Sequence, residues 1–121
     1  MKKIFILMII TGFLMVISAH SASKVEAKYN FENKLLTVNF THSVKDNTKH
    51  FIEEVKIDLN GKEIISQMLS SQDDNVKGEL LFKINDTKLG DVINISAKCN
   101  KGGTRKFELV LKKENEVKEI K

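Results

Sequence analysis

The chain holds a single cysteine, Cys99, which excludes any intrachain disulfide. In an oxidising compartment such a thiol must be buried, metal-bound, paired with another chain, or reactive. The six glycines form no phosphate-binding loop, and no Ser/His/Asp grouping or telling carboxylate pair occurs. Cys99 with a histidine could form a nucleophilic pair, but nothing in the sequence supplies an oxyanion donor. No residue is therefore assigned a catalytic role, and whether the chain is an enzyme stays open. After residue 17 no stretch is apolar enough to span a membrane. The excess of one charge sign is small too. The net charge is +4, and without Lys2 and Lys3 it falls to +2, with 18 basic against 16 acidic residues. The two signs are interspersed, which argues against a nucleic-acid partner.

What is present begins with "MKKIFILMIITGFLMVISAHSASKVEA". Two lysines precede an apolar run from Ile4 to Ile17, and small residues follow. This is the layout of a secretory signal peptide, residues 1–22. Ala19-His20-Ser21 is the preferred cleavage site, with a cut after Ala22 or Ser23 as the alternative. The run is shorter than the ~20 residues of a spanning helix, and no cysteine near its end offers a lipid anchor. The expectation is an exported protein, periplasmic or secreted, free of the membrane once the signal is cut. About 100 residues then remain, enough for one domain with a modest core. Residues 23–112 are read as that domain and 113–121 as a charged tail.

Nearly every segment of the domain alternates with period two. Val25, Ala27, Tyr29 and Phe31 share a face; so do Leu36, Val38 and Phe40, with His42 in phase. Phe51, Val55, Ile57 and Leu59 align, and Asn60-Gly61 marks a two-residue hairpin turn with both residues at positive φ. "KEIISQM" returns from that hairpin. Leu80, Phe82 and Ile84 form the next series, then Ile93, Ile95, Ala97 and Cys99, then Phe107, Leu109 and Leu111. Seven short strands in this length predict an all-β fold: a seven-stranded antiparallel immunoglobulin-like β-sandwich. Segments 43–50 and 67–78 are polar loops.

His42 ends one strand, His50 precedes another, and Cys99 ends a third. Loops at one end of a sandwich lie close together, so these three are the candidate metal ligands. A thiolate with two imidazoles suits copper, zinc or iron, depending on the other ligands and the geometry.

The runs "HSVKDNTKHFIEEVKIDLNGKEI" and "GDVINISAKCNKGG" resemble the iron domain of superoxide reductases, the desulfoferrodoxin and neelaredoxin family, over roughly residues 42–109. "HFIEEV" and "AKCN" are the most specific pieces. The resemblance implies the same sandwich and a ferrous ion held by four imidazoles and one axial thiolate, which reduces superoxide to peroxide. Position by position, it implies His42 and His50 as two of the imidazoles and Cys99 as the axial ligand. The chain departs from the family pattern at two ligands. Cys99-Asn100-Lys101-Gly102-Gly103 has glycine where the family has histidine, and Lys24 stands at the first histidine position. The chain has no proline, so those of the family motifs are absent as well. Three ligands of five remain, a set suited to Cu(I), Cu(II) with a weak axial donor, or Zn(II) completed by water.

Two other readings stay open. In one the sandwich is a non-catalytic binding module or accessory subunit, similar to the sandwich subunit of the thiosulfate-oxidising carrier complex. In the other Cys99 is a buried small hydrophobe, both histidines are solvated, and no metal is bound. An electron donor, a protein partner and a homo-oligomer are all left undetermined.

Overall fold

A computed structural model describes residues 20–113. The expected signal segment 1–19 and the tail from 114 lie outside the described residues. Seven strands run in order: β1 (Lys24–Asn30), β2 (Leu35–Thr41), β3 (Ile52–Leu59), β4 (Lys62–Met68), β5 (Lys77–Lys83), β6 (Val92–Cys99) and β7 (Thr104–Val110). They form two antiparallel sheets, β1-β2-β5 and β4-β3-β6-β7. Among the described residues no helix is long and apolar enough to cross a membrane.

Alternation explains the architecture, because every second side chain of a strand reaches the same face. Val25, Tyr29, Leu36, Val38 and Phe82 from one sheet meet Val55, Ile57, Ile93, Ile95 and Ala97 from the other. Tyr29 is wholly buried, so its hydroxyl needs partners. It donates to the Ile84 carbonyl at 2.6 Å and accepts from the Thr87 hydroxyl at 3.0 Å. Asn60 and Gly61 both take positive φ, 51° and 87°, as the hairpin requires. The Asn60 amide also holds the start of β6, donating to Asp91 and accepting from the Val92 N–H.

The expected phase fails at one place. Phe51 was aligned with Val55, yet Ile52 is the wholly buried residue and Phe51 is half-buried. A shift in the β3–β6 register between Ile52 and Glu54 is the reason: an extra residue in one strand inverts the alternation on one side of it.

Gly78 on β5 faces Phe40 on β2, and a β-carbon there would run into the Phe40 ring. Phe40 lies two residues before His42, so this glycine leaves room for the aromatic ring that packs beneath the end of β2. Gly78→Ala should lower unfolding stability by about 1–3 kcal/mol through overpacking, read from urea denaturation midpoints. An unchanged midpoint would mean that the ring moves aside without cost.

Candidate metal centre

His42 follows β2 directly and keeps its inward phase. Its N–H donates to the Val76 carbonyl at 2.7 Å, which extends the β2–β5 pairing past the strand, and its side chain is only 3% exposed. The alternative of two solvated histidines does not describe this site: inward phase buries His42, and His50 is half-buried beside it. The two rings meet edge to face, centroids 4.8 Å apart at 90°.

Gln72, buried in the loop before β5, fixes the His42 ring. Its amide nitrogen donates to the carbonyls of His42 at 2.8 Å and Asp74 at 3.1 Å. Two carbonyl partners settle which end of the amide is nitrogen, so Oε1 is the end that faces His42 Nδ1, at 2.9 Å. Oε1 also accepts from the Ile52 N–H at 3.2 Å. Nδ1 thus carries a proton donated to Gln72, the outer-shell contact that orients many metal-binding imidazoles. Sequence reasoning missed Gln72, since a glutamine in a polar loop gives no signal of burial.

His50 closes a tight turn. Its N–H and that of Lys49 both donate to the Asp46 carbonyl at 3.0 Å, while the Asp46 carboxylate accepts from the Thr48 hydroxyl at 2.6 Å. That hydroxyl and the Thr48 N–H hold the Asp46 carboxyl below its usual pKa. His50 Nε2 is buried and has no hydrogen-bond partner among the described residues.

Cys99 ends β6, wholly buried. Its main chain opens a turn in which Gly102 N–H donates to the Cys99 carbonyl and Cys99 N–H to the Gly103 carbonyl, each at 3.0 Å. The Lys101 N–H points at Sγ, 3.3 Å away. Asn100 fastens this turn to the segment bearing His50. Its N–H donates to the Phe51 carbonyl, Oδ1 accepts from the Phe51 N–H, and Nδ2 donates to the Lys49 carbonyl, all at 3.0 Å.

The result is that one donor atom from each of His42, His50 and Cys99 lies within 4.8 Å of the other two. Donors around a tetrahedral ion sit about 3.5 Å apart, given metal bonds of about 2.0–2.3 Å, so small side-chain rotations would close the set. Lys24, at the start of β1, pairs with Glu26 at 3.3 Å. His20, expected to leave with the signal, is at the site: its ring lies 5.7 Å from that of His50, and its carbonyl lies 2.9 Å from His42 Nε2.

The protonation pattern opposes an acid–base pair. Burial raises the Cys99 thiol pKa, although the Lys101 N–H works against this, and the Glu53 charge raises it further. Burial lowers His50, as do the neighbouring His42, His20 and Lys101. The proton therefore stays on sulfur at neutral pH, the reverse of a thiolate–imidazolium nucleophile. A cation at the cluster would change that, because thiols bound to metal ions are deprotonated.

A shallow hollow of about 550 Å³ opens beside His50, lined by Val44, Lys45, Asp46, Lys49 and Lys101 among others. A larger one, about 670 Å³, lies on the outer face of the four-stranded sheet among charges of both signs and holds none of the trio.

No family model matches the chain, and no curated protein matches it. Among solved structures it is similar to the superoxide reductase (neelaredoxin) of Ignicoccus hospitalis. Identity is 14% over 74% of this chain and 77% of that one, with a TM-score of 0.45. A point variant of the same protein gives 15% identity, the same coverage and a TM-score of 0.46. Likeness at this level carries no argument, and the case for the site rests on its own geometry.

Metal uptake must displace the Cys99 proton, so affinity should rise with pH below the raised thiol pKa. Between pH 7 and 8, Co(II) affinity should rise about tenfold, read from thiolate-to-metal charge-transfer absorbance in a competition titration. A flat profile would remove Cys99 from the ligand set.

Proposed function

We propose that this chain is an exported metal-binding domain of superoxide-reductase-like type, with His42, His50 and Cys99 as its ligands. One observation carries the reading. His50 holds a buried ring nitrogen without a partner among the described residues, in a cluster with a second imidazole and a thiol. A buried polar atom left unbonded costs about 1–3 kcal/mol, and a bound cation would remove that cost for one that lies within reach of it. The donor chemistry fits: one soft thiolate and two imidazoles suit zinc, copper or iron. Iron is the ion that the family resemblance favours, while three protein ligands are the set that zinc accepts with water in the fourth position.

In this reading the residues divide the work. Gln72 keeps the His42 proton on Nδ1, which leaves Nε2 as the ligand atom. The Lys101 N–H stabilises negative charge on sulfur, and Asn100 keeps the sulfur and His50 at fixed separation. Lys45, Lys49 and Lys101 give the adjoining hollow a basic rim that attracts small anions. A redox-active ion, when bound, would supply one-electron reduction of superoxide.

The leader-like N-terminus motivates the exported destination. Protein recovered from the exported fraction should carry close to one equivalent of a first-row metal, measured by elemental analysis. Cys99→Ser and His50→Ala should each lose most of it, whereas Lys24→Ala should keep it. Unchanged metal in Cys99→Ser would remove the sulfur from the centre. Peroxide formed from superoxide under reductant tests the redox step, and a rate equal to buffer would end that part of the proposal.

A further inference from the structure

The segment before β1 is fastened to the sandwich at every described residue. Ala22 is wholly buried in the core, and its carbonyl accepts from Arg105 Nε at 2.9 Å. Ser23 N–H donates to the Thr41 carbonyl at 2.9 Å. Gly103, at φ 96°, lies so close to Ser21 that a β-carbon would come within 2.9 Å of the Ser21 nitrogen. His20 then ends this strap with its carbonyl 2.9 Å from Nε2 of His42. Since Gln72 Oε1 occupies Nδ1, both ring nitrogens of His42 face oxygen atoms. A carbonyl oxygen 2.9 Å from Nε2 occupies the place that an ion bonded to that nitrogen at about 2.0 Å would take.

We infer that residues 20–23 stay with the folded domain as a latch over the metal centre: the His20 carbonyl stands against Nε2 of His42, and an incoming ion reaches that nitrogen only when the strap lifts. The inference rests on the proposed metal ligands and adds two consequences. Any processing cut falls before His20, and loosening the strap speeds metal entry.

The experiment follows Co(II) binding by stopped-flow absorbance, with the ¹⁵N signals of the His42 ring recorded on metal-free protein. Arg105→Gln removes the anchor on Ala22, and Gly103→Ala pushes Ser21 away. Each should speed Co(II) association about fivefold, the size expected for one lost hydrogen bond, and should shift the Nε2 signal. His20→Ala keeps the carbonyl and should bind within about twofold of the parent. Equal rates in the parent and both loosened variants overturn the latch while leaving the metal site intact. A tenfold loss in His20→Ala overturns it in favour of the His20 ring as a ligand. Processed protein that begins after His20 overturns it as well. If no chain binds Co(II), the ligand assignment and the latch both fall.

Discussion

The buried side-chain amide of Gln72 is the contact on which the rest of this end of the sandwich depends. It reaches two carbonyls with its nitrogen and two nitrogens with its oxygen, and its own carbonyl accepts from Asn47 at 2.6 Å. It thereby ties the end of β2, the start of β3 and both flanking loops together. Each of those bonds is modest alone, about 1 kcal/mol. Their joint effect is orientation, since a fully satisfied buried network admits few alternatives. With Gln72 on Nδ1, Nε2 is the ring nitrogen that faces the His20 carbonyl and that an ion would take.

Asn100 does the corresponding work on the other side. Cys99 and His50 are distant in sequence, and β3 and β6 are neighbours only through their pairing. Three hydrogen bonds from one residue convert that pairing into a fixed spacing between sulfur and imidazole. Electrostatics then favours the neutral forms of Cys99 and His50. Burial favours the uncharged form of both groups, so the thiol keeps its proton and His50 lacks its second. The site is therefore poised for a cation and poorly suited to proton transfer between its own members.

Much of this was legible in the sequence, for a physical reason. Period-two alternation is imposed by the pleat, so Leu36-Val38-Phe40 carried His42 inward, and Ile93-Ile95-Ala97 carried Cys99 inward. The seven strands and the Asn60-Gly61 turn followed from the same local rules. Two features were not legible. The register shift near Ile52 depends on how β3 pairs with β6, which no local pattern encodes, so Phe51 was given the wrong phase. Gln72 depends on a loop folding over the strand ends, and its residue type suggests solvent. The contact of the His20 carbonyl with His42 was not legible either, because the leader-like composition around it gives no sign of one.

The two glycines after Cys99 connect these strands of argument. In the resemblance to superoxide reductases Gly102 stands where a histidine would ligate, and read alone this is simply a lost donor. The backbone gives the position another use. Gly102 and Gly103 both take positive φ, 106° and 96°, which side chains resist, and together they close the turn that aims the Lys101 N–H at sulfur. Gly103 also clears the space through which Ser21 passes. A histidine at 102 would be strained in this turn, and any side chain at 103 would obstruct the strap. The same pair of glycines that lacks the ligand thus lets the main chain of residues 20–23 pass close by, bringing the His20 carbonyl to His42 at the end of the fold where the three donors meet.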